Sequence, residues 1–500
     1  MVKRSKNFFI TTPIYYANDR PHIGSAYSTL LACVLARQKR KEGYRVHFAT
    51  GTDEHGAKIV RAAEEAGKEP QALVDEIAKS FYDSWKKLNI SFDDFIRTTE
   101  KRHEKAVQYF LTKLKDSGTL YQGAYRGLYC VGCETFLEES ELVNGLCPDH
   151  LKKPELLEEK NWFFKLSQFR EKLQELILQD KLEIRPLGKK AETLGLLKTW
   201  ANDVSISRQT VSWGIPLPFD QNQIIYVWVD ALINYLTTIG YPDQKYKEFW
   251  PADIHIIGKN ILKHHAVIWP ALLLALGLEP PKKIFAHSFV TIEGQKMSKS
   301  LGNVIAPENL IEELGVDGAR YILLAEITPD NDSDLSWDKF RARYDADLKH
   351  NIGNIFSRLI VLAQKNNIKD LRFTIYDLRI DSYKKVFLKN LEAINIPEAI
   401  KNTQKIFEEI NQYLDKTKPW KETDKIKIKK TLQESFSAFL EGIELLEPII
   451  PETAKKVLTT LLAYSAEAAS ATKAGRPSGF GGQVKKDDTI IVPKENVHLF

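Results

Sequence analysis

The sequence predicts an α/β fold: a nucleotide-binding parallel sheet, split by an insertion with a metal knuckle and followed by an all-α helix bundle. Three observations point there. Short β-rich apolar runs alternate with helical periodicity at residues 8–37, from residue 46 onward and again after residue 224, as in a doubly wound sheet. Between these blocks, at about 116–222, four metal-ligand residue types fall at knuckle spacing. Beyond residue 300 strand signals fade, and residues 345–465 alternate apolar and charged positions at helical period, with few glycines.

In chain order, Phe8, Phe9, Ile10, Thr11 and Thr12 form a buried strand, which Pro13, Asn18, Asp19 and Pro21 break into a loop. After His22-Ile23-Gly24-Ser25 the pattern turns helical from residue 26 to about 37, with Leu30, Leu31, Val34 and Leu35 at helix spacing. A strand, a tight loop and a helix N-terminus aim unpaired backbone N–H groups and a positive dipole end at an anion, usually phosphate. A second strand at 46–52 ends in Asp53-Glu54-His55-Gly56. Ligands bind at strand C-termini in such sheets, so Asp53 falls where a ligand would sit; it could also cap the next helix, and the two roles are compatible. Residues 71–117 read as amphipathic helices with Phe81, Trp85, Leu88, Val107 and Leu111 in the core, and Cys33 reads as a small core residue.

Within the insertion, Cys130-Val131-Gly132-Cys133 is followed after thirteen residues by Cys147-Pro148-Asp149-His150. Three thiolates and one imidazole make a closed tetrahedral zinc site with no open position, hence a structural one. Gly132 and Gly145 suit its tight turns. Residues 151–200 read as helical. The βα pattern resumes at 224–232, a strand at 255–258 opens into a helix over 259–276, and a strand over 284–292 delivers a loop. That loop, Glu293-Gly294-Gln295-Lys296-Met297-Ser298-Lys299-Ser300-Leu301-Gly302-Asn303, carries two lysines on a turn bounded by glycines. Two such ammonium groups can follow charge moving onto a pyrophosphate leaving group. Residues 471–500, rich in Gly, Pro and Lys, read as a loose arm packing back through Ile490, Ile491, Val492 and Leu499.

Bulk properties set the bounds. A chain of 500 residues exceeds one core, so three or more structural units are expected. Apolar content of 43% with 27% charged residues is ordinary for a globular enzyme. No apolar run is long enough to cross a bilayer and residues 1–7 lack an apolar signal core, so no membrane partner and a cytoplasmic location are expected. The net charge of +5 tolerates nucleic acid without indicating it. Four cysteines argue against a disulfide scaffold, and P-loop, HExxH and long-repeat signatures are absent.

In this order and separation, His22-Ile23-Gly24-Ser25 and Lys296-Met297-Ser298-Lys299-Ser300 resemble the HIGH and KMSKS signatures of class I aminoacyl-tRNA synthetases. Thr11-Thr12-Pro13-Ile14-Tyr15-Tyr16-Ala17-Asn18, Gly51-Thr52-Asp53-Glu54-His55-Gly56 and Tyr226-Val227-Trp228-Val229-Asp230-Ala231-Leu232 narrow the resemblance to the bacterial methionyl-tRNA synthetases. It covers nearly the whole chain, from Phe8 into the helical region. The resemblance implies a Rossmann-type (HUP) catalytic domain in two halves, 1–115 and 223–292, around a zinc-bearing connective insertion at 116–222. It further implies a lysine loop with a stem-contact fold at 293–345, an all-α anticodon-binding helix bundle at 346–470 and a C-terminal arm at 471–500.

The implied chemistry is that ATP and L-methionine give methionyl-adenylate and pyrophosphate, after which methionine passes to the 3′ end of tRNA(Met), initiator and elongator. The methionine carboxylate attacks the α-phosphorus itself, so catalysis is positioning and charge stabilisation. His22, Gly24 and Ser25 would hold ATP at the helix start, with Lys296, Ser298 and Lys299 opposite and Mg²⁺ bridging phosphate oxygens. His22, Lys296 and Lys299 are the catalytic set. Asp53 would bind the methionine ammonium, and Tyr16, Trp228, Ala231, Leu232, Tyr235, Ile261 and His265 would line the side-chain pocket. Trp228 and Tyr235, seven apart, share a helix face if the strand ends near Trp228. Asn354 and Arg358, four apart on one helical face, would read the CAU anticodon with Trp420, on which a base stacks for ~1–3 kcal/mol. Zinc would sit on Cys130, Cys133, Cys147 and His150.

Two positions depart from the family pattern. Ser25 stands where the signature ends in histidine, so one imidazole contact to ATP is replaced or lost, and Asn260 stands where many relatives carry aspartate. No C-terminal tRNA-binding domain of the dimerising type follows, so a monomer is expected. Two alternatives stay open. Another class I ligase is one, although 116–222 is too short for the editing insertion of the Leu, Ile and Val enzymes, and the Cys enzyme would put zinc near its pocket. The other is a catalytically silent tRNA-binding paralogue, which Ser25 keeps open and the paired lysines oppose.

Overall fold

The structure, a computed structural model, describes residues 6–132, 134–137, 139–148, 151–199, 202–297, 302–372, 380–461, 489–491 and 499–500. The chain divides into two compact units: residues 1–21, 44–86 and 91–287 in one, and 22–43, 87–90 and 288–500 in the other. No helix among the described residues is long and apolar enough to cross a membrane.

The first unit is built on a six-stranded parallel sheet. Its β1 (Asn7–Tyr16), β2 (Arg45–Asp53) and β3 (Asp94–Arg97) lie in the order β3-β2-β1, followed by Ile254–Gly258, Lys283–His287 and Glu183–Arg185. Phe9, Ile10, Phe48, Ile256, Ile257 and Ile284 are buried; strands covered on both faces read as continuous apolar runs rather than alternating ones. The winding reverses between β1 and Ile254–Gly258, and the carboxyl ends of strands at such a switch point form the ligand crevice. Tyr16 and Asp53 end β1 and β2 there.

Several boundaries differ from those the sequence suggests. β1 continues past Pro13, absorbing it in a register shift between Thr11 and Ile14; a proline, lacking an N–H, is tolerated at such an irregularity. Residues 151–200 are not all helical. Glu155–Phe164 is a strand paired antiparallel with Leu120–Cys130, and the described helical segments are a 3₁₀ turn at Leu166–Phe169 and α-helices at Arg170–Leu178 and Leu187–Thr199. The aromatic cluster Trp162, Phe163 and Phe164 suits a strand. Glu183–Arg185 falls inside the span expected as an insertion, yet it forms the edge of the parallel sheet. The expected helix over 259–276 is a 3₁₀ turn (Lys259–Ile261), a π turn (His264–Ile268) and an α-helix (Trp269–Ala275); widened turns cluster at functional sites. The expected strand over 284–292 is two strands, Lys283–His287 and Val290–Ile292, in different sheets.

In the second unit, helix α1 (Ile23–Lys41) begins three residues earlier than the sequence suggests and buries nearly every residue from Ile23 to Ala36, Cys33 among them. The helix Pro307–Glu326 packs along it, and the Tyr27 hydroxyl donates to the Ile327 carbonyl (3.2 Å). Val290–Ile292 pairs with Gln295–Lys296 as a hairpin and with Ser333–Leu335 in parallel. Beyond Trp337 the described chain is mostly helical, through Asn354–Lys365, Ile380–Glu392, Ile396–Thr417, Lys425–Leu446 and Pro451–Leu461, around a core that includes Phe356, Phe407 and Phe439, but the span expected to be all-α also holds a short strand, Asp370–Arg372. Of the expected arm, Thr489–Ile491 pairs with Asp370–Arg372 and Leu499 is buried, while Val492 lies outside the described residues.

Candidate active site

Local chemistry at the start of α1 explains its first motif. His22 is the N-cap, extended at φ −131° and ψ 170°, and its Nδ1 accepts from the Gly24 N–H (3.0 Å). The His22 N–H donates to Ser25 Oγ (3.1 Å), and that hydroxyl donates to the His22 carbonyl (2.7 Å). Ser25 therefore closes a capping box, satisfying backbone groups that a helix start leaves orphaned. With Nδ1 accepting, the neutral imidazole carries its proton on Nε2, a donor suited to a phosphate oxygen. Gly24 leaves no room for a side chain: a Cβ would meet His22 Cε1 at 2.8 Å and Met297 Cε at 3.5 Å.

Met297 belongs to the lysine hairpin, and beyond that loop the Ile305 carbonyl accepts from the Ile23 N–H (3.0 Å). Both flanks of the lysine loop thus return to the His22 turn. The hairpin turns through Glu293 and Gly294, both at positive φ (50° and 76°), and is held by Asp334. Asp334 Oδ1 accepts from the Gly294 N–H (2.6 Å) and the Thr291 hydroxyl (2.8 Å), which hold its carboxyl below the usual carboxylate range. Nothing in the sequence marks Asp334, since its partners precede it by about a tenth of the chain. Lys296 is exposed on the hairpin; Ser298 and Lys299 lie outside the described residues.

In the first unit, Asp53 ends β2 with 2% of its surface exposed, and its Oδ1 has no hydrogen-bond partner among the described residues. The cap role falls away, because Gly56 caps the next helix, α2 (Ala57–Glu65). Burial, then the charges of Asp230 and Glu134, raise the Asp53 carboxyl well above its ordinary value, against a bond from the His55 N–H. A buried carboxylate with an open oxygen calls for a cation. Asp230 itself is clamped, with His55 Nδ1 2.7 Å from Oδ2 and His103 Nε2 2.8 Å from Oδ1. Burial works to raise Asp230, but the two imidazoles hold it below the usual range.

The helix Val227–Thr237 starts directly after the strand Asp220–Ile225, so Trp228 and Tyr235 do share it, with Ala231 and Leu232 buried between them. Tyr16 meets Trp228 edge-on (centroids 5.8 Å), Trp228 stacks on His264 (4.1 Å), and Tyr235 stacks on His255 (4.2 Å). His265 Nδ1 lies 2.9 Å from the Ile261 carbonyl, to which it must donate, so Nε2 accepts from the Tyr235 hydroxyl at 2.7 Å. Burial lowers His265 to about 4 and takes His255 and His264 well below their ordinary value. At neutral pH these rings form an uncharged, polarisable wall, of the kind a thioether contacts for ~0.3–1.5 kcal/mol per ring. Sequence reasoning missed His255, His264 and Glu134, whose Oε2 accepts from the Tyr16 hydroxyl (2.5 Å). Asn260 is exposed, and its Oδ1 would lie 2.8 Å from a Cβ on Gly258.

On the helical side of the second unit, the Arg358 guanidinium stands 4.7 Å over the Trp420 ring and pairs with Asp415 (2.8 Å). Trp420 is 38% exposed, unlike a core tryptophan, and Asn354 is exposed one turn before Arg358. Of the metal quartet, Cys130 and Cys147 are buried, while Cys133 and His150 lie outside the described residues. Among the described residues no group of three or more metal-ligand side chains comes together. The turn before Cys147, bridged from Val143 to Leu146, passes through Asn144 and Gly145 at positive φ (53° and 76°), as expected of Gly145.

Comparison with known proteins places this geometry. A family model described as tRNA synthetases class I (M) matches residues 8–153 and 150–360. The methionine–tRNA ligase of Thermotoga maritima is 40% identical over 467 residues, spanning 90% of this chain and 74% of that protein. That of Rickettsia felis is 41% identical over 470 residues, spanning 91% and 92%. Methionyl-tRNA synthetase of Mycobacterium tuberculosis in complex with methionyl-adenylate aligns at TM-score 0.91 and 33% identity over 99% of both chains; its apo form aligns at 0.83 and 30%. A parallel sheet with its switch-point crevice, a helical C-terminal region and these relatives agree: the chain belongs to the class I tRNA synthetases of the methionine type.

Proposed function

We infer that this chain joins L-methionine to tRNA(Met), initiator and elongator, through a methionyl-adenylate made from ATP. The observation that carries the reading is Asp53: a buried carboxylate with an open oxygen, at a strand end, in the unit whose uncharged aromatic wall suits a thioether. Asp53 takes the methionine ammonium. Tyr16, Trp228, Ala231, Leu232, Tyr235, Ile261 and His265 receive the side chain, and a polarisable wall can separate sulfur from the isosteric methylene only by a small margin. The first turn of α1, with His22 Nε2–H and the backbone at Gly24, holds phosphate. Lys296 and Lys299 neutralise the departing pyrophosphate, and Mg²⁺ accompanies ATP. No protein nucleophile takes part.

Asn354, Arg358 and Trp420 read the anticodon, with the half-exposed indole as the stacking platform. Buried thiols beside a tight turn fit a soft divalent metal; zinc held by Cys130, Cys133, Cys147 and His150 would staple the knuckle. The domain limits drawn from the sequence are retained, with 183–185 assigned to the catalytic sheet. The protein acts as a cytoplasmic monomer. ATP–pyrophosphate exchange with each amino acid in turn tests the assignment. Methionine-dependent exchange is the expected result. Exchange driven by another amino acid would make it a different ligase, and none at all would make it a silent tRNA-binding paralogue.

A further inference from the structure

Glu134 is the residue the pocket reading leaves unexplained. It is buried, and its backbone is left-handed at φ 48°, a conformation that a residue with a Cβ adopts only when its surroundings impose it. Both carboxylate oxygens are engaged. Oε2 accepts from the Tyr16 hydroxyl (2.5 Å), and Oε1 accepts from the Lys58 N–H (2.8 Å) in the first turn of α2. The Glu134 carbonyl accepts from the Tyr226 hydroxyl. Gly56 makes room for this, because a Cβ there would collide with the Glu134 carboxylate.

Two of these bonds, to Lys58 and Tyr226, tie the turn that carries Glu134 to its neighbours. The third does something else. It fixes the hydroxyl of Tyr16, whose ring meets Trp228 edge-on and carries the Lys58 ammonium 5.1 Å over its face. The ring is thereby held at its tip, its face and its edge. A side chain that lines a recognition wall needs such support, since about half an ångström of play degrades the fit.

We propose that Glu134 is a positioning residue for amino-acid selection: by holding the Tyr16 hydroxyl it fixes the Tyr16–Trp228 ring pair as one wall against which the methionine side chain is received. The proposal rests on the methionine reading above and deepens it. Glu134 acts at the amino-acid end of the site, through Tyr16 and through its charge beside Asp53, and its bonds reach Tyr16, Lys58 and Tyr226 rather than the residues assigned to ATP.

The test uses the full chain in ATP–pyrophosphate exchange, with Glu134→Gln, Glu134→Ala, Tyr16→Phe and the Glu134→Ala/Tyr16→Phe double variant. Glu134→Ala and Tyr16→Phe should each raise the methionine KM several-fold, with kcat and the ATP KM within twofold of the parent (about 0.4 kcal/mol or less). The double variant should be no worse than the poorer single one, and Glu134→Gln, which keeps one acceptor, should recover part of the loss. Preference for methionine over norleucine should narrow in the Ala and Phe variants. If Glu134→Ala does not fold, the Gln and Phe variants carry the comparison. Equal losses in kcat and ATP KM, additive effects in the double variant, or unchanged selectivity in all variants would each overturn the proposal. A parent chain with no methionine-dependent exchange would overturn it together with the function on which it rests.

Discussion

Replacing Asp53 by asparagine changes one charge and almost no volume, and the structure gives that change opposite signs for binding and for stability. In binding, the open oxygen of a buried carboxylate would lose its ammonium partner. Desolvated charge pairs of this kind are worth ~2–5 kcal/mol, or about 30- to 5,000-fold in affinity. For stability, burial raises the folded carboxyl above its unfolded value. The unfolded chain then releases this proton first as pH rises, so stability falls from about pH 3.9 upward through the raised folded value and stays reduced at neutral pH. Asparagine removes that cost. Asp53→Asn should therefore lose methionine-dependent exchange yet melt higher, by roughly 2–4 °C per kcal/mol recovered. Calorimetry at neutral pH and the methionine KM across the acid-to-neutral range are the assays. The parent should bind methionine less well on acidification, while the variant should show no such dependence. A variant that melts lower, or that keeps the parental methionine KM, would refute the assignment of the ammonium to Asp53.

The other sites make separate predictions. Trp420→Ala should leave methionine-dependent exchange intact and lower the efficiency of tRNA charging by about 5- to 150-fold, the equivalent of one stacked base at ~1–3 kcal/mol; an equal fall in exchange would contradict the anticodon role. Asp334→Ala frees the Gly294 N–H and the Thr291 hydroxyl, and should reduce the exchange kcat several-fold without raising the methionine KM. His265 is held neutral by burial at about 4, against about 6.5 unfolded. This contribution, on the order of 3 kcal/mol, is fully present above pH ~6.5 and is lost as pH falls toward 4. Denaturant midpoints over that window should fall more shallowly in His265→Gln than in the parent. Metal analysis should find about one zinc per chain, and Cys147→Ser should lose it.

What could be read from the sequence, and what could not, divides along a physical line. The central strands were legible because burial on both faces writes itself as uninterrupted apolar runs, and Asp53 because a strand end followed by a helix marks a crevice. Glu155–Phe164 and Glu183–Arg185 were missed because each is defined by a partner far along the chain, Leu120–Cys130 and Lys283–His287, and three residues are too few to show a period. The same holds in the site. Asp53 falls at a strand end that marks itself, whereas Tyr16, Trp228 and Tyr235 could be named only through the family resemblance, since an aromatic alone reads as core. Glu134 and Asp230 are bonded to Tyr16 and His55, which lie 118 and 175 residues away in sequence, and no local pattern records who holds whom.

Ser25 shows how this limits motif reading. As a letter in a signature it stands for a missing imidazole. As a side chain it accepts from the His22 N–H and donates to the His22 carbonyl, closing the turn proposed to hold phosphate. A longer, planar imidazole at that position cannot return both bonds at so short a reach, so the substitution exchanges a possible ligand contact for a stiffer helix start. Ser25→Ala separates the two roles. If the hydroxyl works through the turn, the variant should raise the ATP KM and lower the melting temperature together, by about 1 kcal/mol for a lost cap. A rise in ATP KM with unchanged melting would instead make Ser25 a direct phosphate contact.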